Sequence, residues 1–481
     1  MRLIKLVRLP LAALAFAFPL MLISLILAWA YQETEMFAVF GLPLALAVVV
    51  AAPVLFSFKK TPPALYAQDG YLIVTLTWVI LIVWGALPYY LYEAKIHFID
   101  ALFESASAFT TTGASTLADL DVLPRSLIFW RCISYWIGGM GIILLTVALM
   151  PLLGVGGFQL IKAETTGPDK EKITPKVTGT AKVLWIFYCI MTLILFLLYL
   201  AGGMDVFDAI CHSFATVSAG SIATKNSSLT GYNSAYLTIV WAVFMFLAGV
   251  NFNIYYRLIR RNVKEVFFNS ELRAYIILAV VISIIITVNI APLYNSMSSA
   301  ALDAVFQTIS FLSTTGAVIT DYTRWPALAQ MLLFFLMFTG GCSGSTAGGI
   351  KLIRFVVLYK QTGNEFRRLL YPRGVFSVHL NHKVGRKDVV YGVTAFVFLY
   401  MMTAAFITLA TAAAGFDIIT SLTTSFSMLG NLGSGFGAIS PGSSFSVFPA
   451  HLKLLYAVAM IAGRLEIWTV LVLFHREYWQ S

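Results

Sequence analysis

Ten long apolar runs punctuate the chain, at 10–31, 35–57, 71–93, 127–153, 183–204, 235–256, 274–293, 327–339, 388–414 and 452–474. Most reach the ~20 residues that a helix needs to cross ~30 Å of hydrocarbon. The polar stretches between them are short. The longest, roughly 160–182 and 359–387, are too small to house a second, water-soluble domain. In lipid each spanning segment must satisfy its own backbone hydrogen bonds, so the pattern predicts an all-α membrane fold. The first run follows a basic start and is longer than the apolar core of a secretory signal. No small-residue cleavage site precedes the acidic turn Gln32-Glu33-Thr34-Glu35, so a retained span is expected.

A second pattern recurs within these runs. Four times a span leads into a short segment with an early aspartate and a polar tip containing glycine. The segments are Asp100 to Gly113, Asp208 to Gly220, Asp303 to Gly316, and Asp417 to Gly430 or Gly433. Each precedes another long span. At ~10–12 residues the segments are too short to cross a bilayer, so they predict half-helices that enter and leave by one face. An aspartate near each start suits a helix N-terminus. The implied organisation is a two-helix unit, 1–60, then four span–short helix–span repeats at 66–156, 178–262, 270–362 and 386–477, arranged pseudo-fourfold.

Composition agrees, with 59% hydrophobic and 11% charged residues, where soluble domains carry about a quarter charged. The net charge of +10 raises the question of nucleic acid, and placement answers it. Alternating the loops from a cytoplasmic N-terminus puts 25 of the 32 Lys and Arg inside. Lys95, Arg125, Arg131, Lys225, Arg324 and Lys453 fall towards the other face, and Arg464 lies within a span. That asymmetry is the positive-inside signature of topology, with both termini cytoplasmic, and implies no nucleic acid. Cys132, Cys189, Cys211 and Cys342 have no paired spacing and imply neither disulfides nor zinc.

Irregular backbone survives at membrane depth only where protein buries it or water lines it. Four such turns about one axis would meet that requirement together, with their carbonyls aimed into a polar channel. Rings of carbonyls can replace the hydration shell of potassium, and glycine permits the backbone this needs. Thr111, Thr112, Thr314, Thr315 and Ser218 add hydroxyls that can hold the loops in register. A lone turn of this kind would read as ordinary small-residue helix packing; four in matching places favour a pore.

These segments resemble the Trk/Ktr/HKT superfamily of potassium transporters, and the two extra N-terminal spans resemble its TrkH/TrkG branch. The likeness covers nearly the whole chain. It includes Trp136-Ile-Gly-Gly-Met-Gly-Ile-Ile, Ala163-Glu-Thr-Thr-Gly-Pro, Gly340-Gly-Cys-Ser-Gly-Ser-Thr-Ala-Gly-Gly-Ile-Lys351 and Gly430-Asn-Leu-Gly-Ser-Gly. The resemblance implies filter glycines at Gly113, Gly220, Gly316 and Gly433, with Thr111, Thr112, Ser218, Ala219, Thr314, Thr315, Asn431 and Leu432 beside them. A glycine rather than serine at position 113 implies preference for potassium over sodium. The second and fourth loops depart from the pattern: Ser218-Ala219-Gly220 lacks threonine, and Gly433 is off the repeat spacing that Gly430 keeps. The resemblance further implies a bacterial inner-membrane location, a homodimer in membrane lipid, and a cytoplasmic TrkA-like nucleotide-binding ring. That ring would dock on the basic loops 160–182, 257–273 and 351–387. This chain binds no nucleotide in that reading, and potassium is its substrate.

Two features suggest a gate. Gly340, Gly341, Gly344, Gly348 and Gly349, interleaved with Cys342, Ser343, Ser345, Thr346 and Ala347, interrupt a span. Each glycine costs about 1 kcal/mol of helix stability relative to alanine, so the helix should break there. No strand precedes the segment and Lys351 does not directly follow a glycine, which argues against a phosphate loop. The resemblance implies a mobile intramembrane loop beneath the filter, closed by Lys351. Arg464 is a charge inside a span, costly unless paired or facing water. Glu466 is two residues away and does not share its helix face. The resemblance places Arg464 in the pore wall beside the loop. Of the remaining features, His379 and His382 sit on a basic loop without further ligands, and Glu104 reads as an outer carboxylate that attracts cations, caps the helix or is simply solvated. No nucleophile–base arrangement points to an enzyme. The rival reading is a secondary potassium symporter coupled to protons or sodium by alternating access, since broken spans mark such transporters too.

Overall fold

The structure, a computed structural model, describes residues 2–58, 67–92, 96–117, 119–141, 177–226, 231–381, 383–384 and 387–480. The motif at 163–168 and most of the basic loop 160–182 lie outside these residues, as do Lys59, Lys60, Lys95 and His382. Among the described residues, six helices are long and apolar enough to cross a membrane, or up to eight if each of two bent pairs counts as one span. Helix Ser270–Ile290 shows why the bilayer is its solvent: its outward Ile277, Ile284 and Val288 are 61%, 58% and 62% exposed. A helix that is apolar all round belongs in a core or a membrane.

Four short helices follow the leading spans: Phe98–Phe109, Val206–Val217, Met297–Leu312 and Ile418–Gly430. Each packs between the two spans of its own repeat. Each also touches a neighbouring repeat. The first packs on Ala450–Arg464 of the fourth, the second on Arg125–Met140 of the first, the third on Ala235–Ala248 of the second, and the fourth on Ala327–Phe338 of the third. The contacts therefore close a ring around the turns that end these helices. The N-terminal pair Arg2–Ala30 and Met36–Phe58 packs against the first repeat, outside that ring.

The trailing spans are broken. Ala235–Ala248 bends by 92° into Phe252–Ile259, and Ala450–Arg464 by 116° into the segment starting at Ile467. The third is interrupted between Phe338 and Leu352, where glycines Gly340 and Gly349 form a single antiparallel bridge. The segment after helix Leu352–Leu370 contains a small hairpin, His379–Leu380 against Lys383–Val384. Cys132, Cys211 and Cys342 are buried thiols and Cys189 is exposed; none is bridged.

Candidate functional site

The four short helices end alike. After the last helical turn one residue adopts left-handed backbone: Thr111, Ala219, Thr314 and Asn431, at φ 58°, 59°, 54° and 54°. The next N–H then reaches back to a carbonyl in the helix: Thr112 to Ser107, Gly220 to Ala215, Thr315 to Ser310 and Leu432 to Ser427, at 2.8–2.9 Å. This closure satisfies helix-end carbonyls that would otherwise lack a donor, and it fixes a common register.

In that register Gly113, Gly316 and Gly433 occupy the same place, with φ of 87°, 71° and 80°. Gly430 lies within the helix end, so the fourth loop's register selects Gly433. The second loop holds Ser221 at this place. Gly220 falls one residue earlier, level with Thr112, Thr315 and Leu432, and a Cβ there would meet the Tyr135 ring at 2.4 Å. Counting thirteen residues from Asp208, as from Asp100 and Asp303, reaches Ser221, a signal present in the sequence but passed over for the nearest glycine. The aspartates stand at helix starts in the first, second and fourth repeats, and the third departs. Asp417 is an N-cap, accepting from Thr420 N at 3.1 Å, and Asp205 caps the second helix. Asp100 and Asp208 lie in the first turns of their helices, and Asp303 lies further in, past the first turn of Met297–Leu312. They are held by Lys453 at 2.6 Å, by Lys225 at 2.7 Å and Tyr232 at 2.6 Å, and by Tyr294 at 2.7 Å.

The turns meet one another closely. A Cβ on Gly316 would lie 1.7 Å from Leu432 O, one on Gly433 2.0 Å from Thr112 O, and one on Gly113 2.0 Å from Ser221 Oγ. Asn431 Nδ2 donates to Thr112 Oγ1 of the first turn at 3.1 Å. Within the turns, Thr110 pairs with Thr112 and Ser313 with Thr315 through hydroxyls 2.8 Å apart. Four helix C-termini thus converge with their carbonyl ends, each carrying about half a negative charge, around one region. That region is rich in oxygen and free of carboxylates among these turn residues, a setting suited to a monovalent cation exchanging water for carbonyls.

The glycine segment lies against these same helix ends. Gly348 N donates to Thr314 Oγ1 at 2.6 Å, and a Cβ on Gly348 would stand 2.4 Å from Gly430 O. Thr346 Oγ1 donates towards Val217 O and Ala248 O at 3.1 Å, and Cys342 N to Gly249 O at 2.8 Å. Ser345 turns its hydroxyl back to Cys342 O, and Lys351, 3% exposed, donates to Ala347 O within the segment. Arg464 crosses from the fourth repeat and donates to Thr346 O at 2.6 Å, Gly138 O at 2.7 Å and Gly139 O at 2.5 Å. Charge-assisted bonds of this kind offset the cost of placing a guanidinium at membrane depth. Gly138 in turn packs under the first short helix, where a Cβ would meet Phe109 O at 1.8 Å.

Several participants were not singled out from the sequence. Glu271 accepts from Ser343 N and Oγ at 2.6 and 2.8 Å and from Ile353 N at 3.2 Å, clamping the segment's two flanks with one carboxylate. Glu466 bonds Arg354 at 2.6 Å, which also stacks on Phe396 at 3.6 Å; it is thus tied to a different arginine from its neighbour Arg464. These are contacts across 72 to 112 residues that no local pattern announces. Glu104, expected among the outer carboxylates, is instead 1% exposed with Arg131 at 3.3 Å. His379 lies on the hairpin near Ser377 O, and among the described residues no group of metal-binding side chains occurs.

A family model described as a cation transport protein, TrkH, matches residues 38–481. The Trk system potassium uptake protein TrkG of Escherichia coli strain K12 is 35% identical over 466 residues, 96% of this chain and 95% of that protein. The TrkH protein of the same strain is 37% identical over 429 residues, 88% of each chain. The crystal structure of the potassium transporter TrkH from Vibrio parahaemolyticus superposes with a TM-score of 0.88 at 31% identity, covering all of both chains.

Proposed function

The chain belongs to the TrkH family of cation transport proteins, and from that premise we propose that it takes up potassium through a gated pore lined by its four turns. It is a multi-pass membrane transporter, not an enzyme. The observation that carries the pore reading is the mutual approach of the turns. Leu432 O and Thr112 O sit where only a glycine on the adjacent turn leaves room for them. Backbone held that tightly presents its carbonyls at fixed spacing, which is how a filter tells potassium from a smaller, more strongly hydrated ion.

In this proposal the filter comprises Thr111, Thr112 and Gly113, Ser218, Ala219 and Gly220 with Ser221, Thr314, Thr315 and Gly316, and Asn431, Leu432 and Gly433. The segment Gly340–Gly349 is the gate. It bonds or abuts the ends of the second, third and fourth short helices, and Arg464 ties it to the first repeat. The positive charge of Arg464 adds an electrostatic barrier to its steric one. The fit of the surroundings extends to the system: a homodimer in the bacterial inner membrane, with both termini cytoplasmic. A nucleotide-binding regulatory ring would dock on the cytoplasmic basic loops, of which Arg257, Arg260, Arg261, Lys360, Arg367 and Arg368 are described.

The broken spans favour one second reading, an alternating-access symporter in which the bends act as hinges. Reconstituting the purified chain in liposomes separates the two. Rubidium uptake blocked by potassium far more than by sodium, and indifferent to imposed proton or sodium gradients, is the outcome expected of a pore. Uptake that stops when those gradients are removed sinks the pore reading in favour of coupling. Equal block by both ions sinks the potassium filter itself.

A further inference from the structure

The common register places a second set of equivalent positions nine residues before Gly113, Ser221, Gly316 and Gly433. They are occupied by Glu104, His212, Gln307 and Thr424. All four are buried, at 1%, 2%, 0% and 0% exposure. Three of them reach the chain twelve residues on. Glu104 Oε1 accepts from Thr116 N, from Thr116 Oγ1 at 3.1 Å and from Ser115 Oγ at 2.8 Å, with Leu117 N at 3.3 Å. His212 Nε2 lies 3.5 Å from Thr224 Oγ1, and Gln307 Oε1 accepts from Ile319 N at 3.4 Å. In the fourth repeat the adjacent Thr423 takes this part, exchanging bonds with Phe436 O at 2.9 Å and Phe436 N at 3.4 Å.

Resting on the filter reading above, we propose that these side chains are positioning residues. Glu104, His212, Gln307 and, in place of Thr424, its neighbour Thr423 brace the segment that leaves their filter turn, and Glu104 is the dominant brace. The strand after a filter glycine has no ladder partner, so its backbone donors need a buried acceptor. A carboxylate supplies the strongest one. Glu104 concentrates four donors on one oxygen, and Arg131 at 3.3 Å holds its second oxygen in place. At these positions the other repeats place neutral side chains, which approach the exit segment at 3.4–3.5 Å, apart from the bond of Thr423 to Phe436 O at 2.9 Å. The brace is therefore asymmetric, and the first turn is the most rigidly held of the four. Selectivity depends on how far carbonyls yield to a smaller ion, so loosening the first brace costs discrimination rather than conduction.

The test is rubidium uptake by the full chain in liposomes, reading the ratio of sodium to potassium needed for half-block. Taking this ratio within each variant cancels differences in the amount of protein reconstituted. Glu104→Ala is expected to lower it about tenfold, which corresponds to about 1.4 kcal/mol of differential ion binding. Gln307→Leu should lower it by a smaller factor. Glu104→Gln, which keeps an acceptor for Thr116 N, should recover part of the loss. A merely structural role would lower uptake without moving the ratio. Unchanged ratios in Glu104→Ala and Gln307→Leu, beside a discriminating wild type, overturn the brace alone. A wild type that does not discriminate overturns the filter reading and the brace with it. If Glu104→Ala cannot be purified, Gln307→Leu decides, since it removes only the polar end of a similar volume.

Discussion

Placing alanine at Gly316 is the sharpest perturbation of the proposed filter. Two costs arise, and they are separable. The first is local: at φ 71° an L-residue pays roughly 1–2 kcal/mol for the left-handed backbone. The second crosses between repeats. The new Cβ would stand 1.7 Å from Leu432 O, whereas real Cβ contacts essentially never fall under 3.0 Å, so the carbonyl must retreat by about 1.3 Å. Leu432 O belongs to a different turn from the substituted one, so the strain crosses from the third repeat to the fourth. Gly415→Ala is the matched control: its φ is 92°, with nothing within 4 Å of the new Cβ, so it carries the first cost alone. In liposomes, with rubidium uptake competed by sodium and potassium, Gly316→Ala should cut discrimination about tenfold, equivalent to about 1.4 kcal/mol. Gly415→Ala should leave it at the wild-type value. A folded Gly316→Ala with unchanged discrimination would refute the assignment of this contact to the filter.

Arg464→Ala removes the donors to Thr346 O, Gly138 O and Gly139 O. Charge-assisted bonds contribute about 1.5–3 kcal/mol each and do not add simply. Basal uptake without any partner should rise at least about tenfold, and low, unaltered uptake would place the gate elsewhere. Gly138→Ala, whose Cβ would lie 1.8 Å from Phe109 O, should lower the thermal unfolding midpoint in detergent more than Gly363→Ala, where nothing lies within 4 Å; equal midpoints would contradict the packing. Glu466→Ala leaves Arg354, 5% exposed, without this carboxylate and should destabilise by about 3 kcal/mol in denaturant titration. A loss below about 0.5 kcal/mol would show that the stacking on Phe396 suffices to hold Arg354.

The spans, the short helices and the glycine break are legible because each is a local signal. A run of twenty apolar residues, an apolar run too short to span, and five glycines in ten residues need no partner to be seen. Registers were harder. Gly220 is the nearest glycine, although the thirteen-residue interval from Asp208 ends on Ser221; what sets the register is the left-handed Ala219, and nothing in alanine's chemistry advertises it. Asp417 reads like the other three aspartates but is an N-cap like Asp205, whereas Asp100 and Asp208 lie within the first turn and Asp303 further along, because one residue type serves all three places. Glu104 fits a solvated surface carboxylate by composition, and only the return of residues 115–117 along its helix makes it an interior acceptor. Glu271 and Arg354 could not be read at all, since their partners lie 72 and 112 residues away.

The bond between Asn431 and Thr112 joins residues 319 apart, and Gly433 seats against that same threonine's carbonyl. The ribosome makes the first turn long before its last neighbour exists. Through most of synthesis the nascent chain carries three turns with one side of the ring open, and the hydroxyl and carbonyl of Thr112 wait for residues near position 431. The proposed pore would therefore be completed by the final repeat as a keystone completes an arch. A chain that stops before that point lacks the turn against which Thr112 is seated, and so lacks the closing side of the ring.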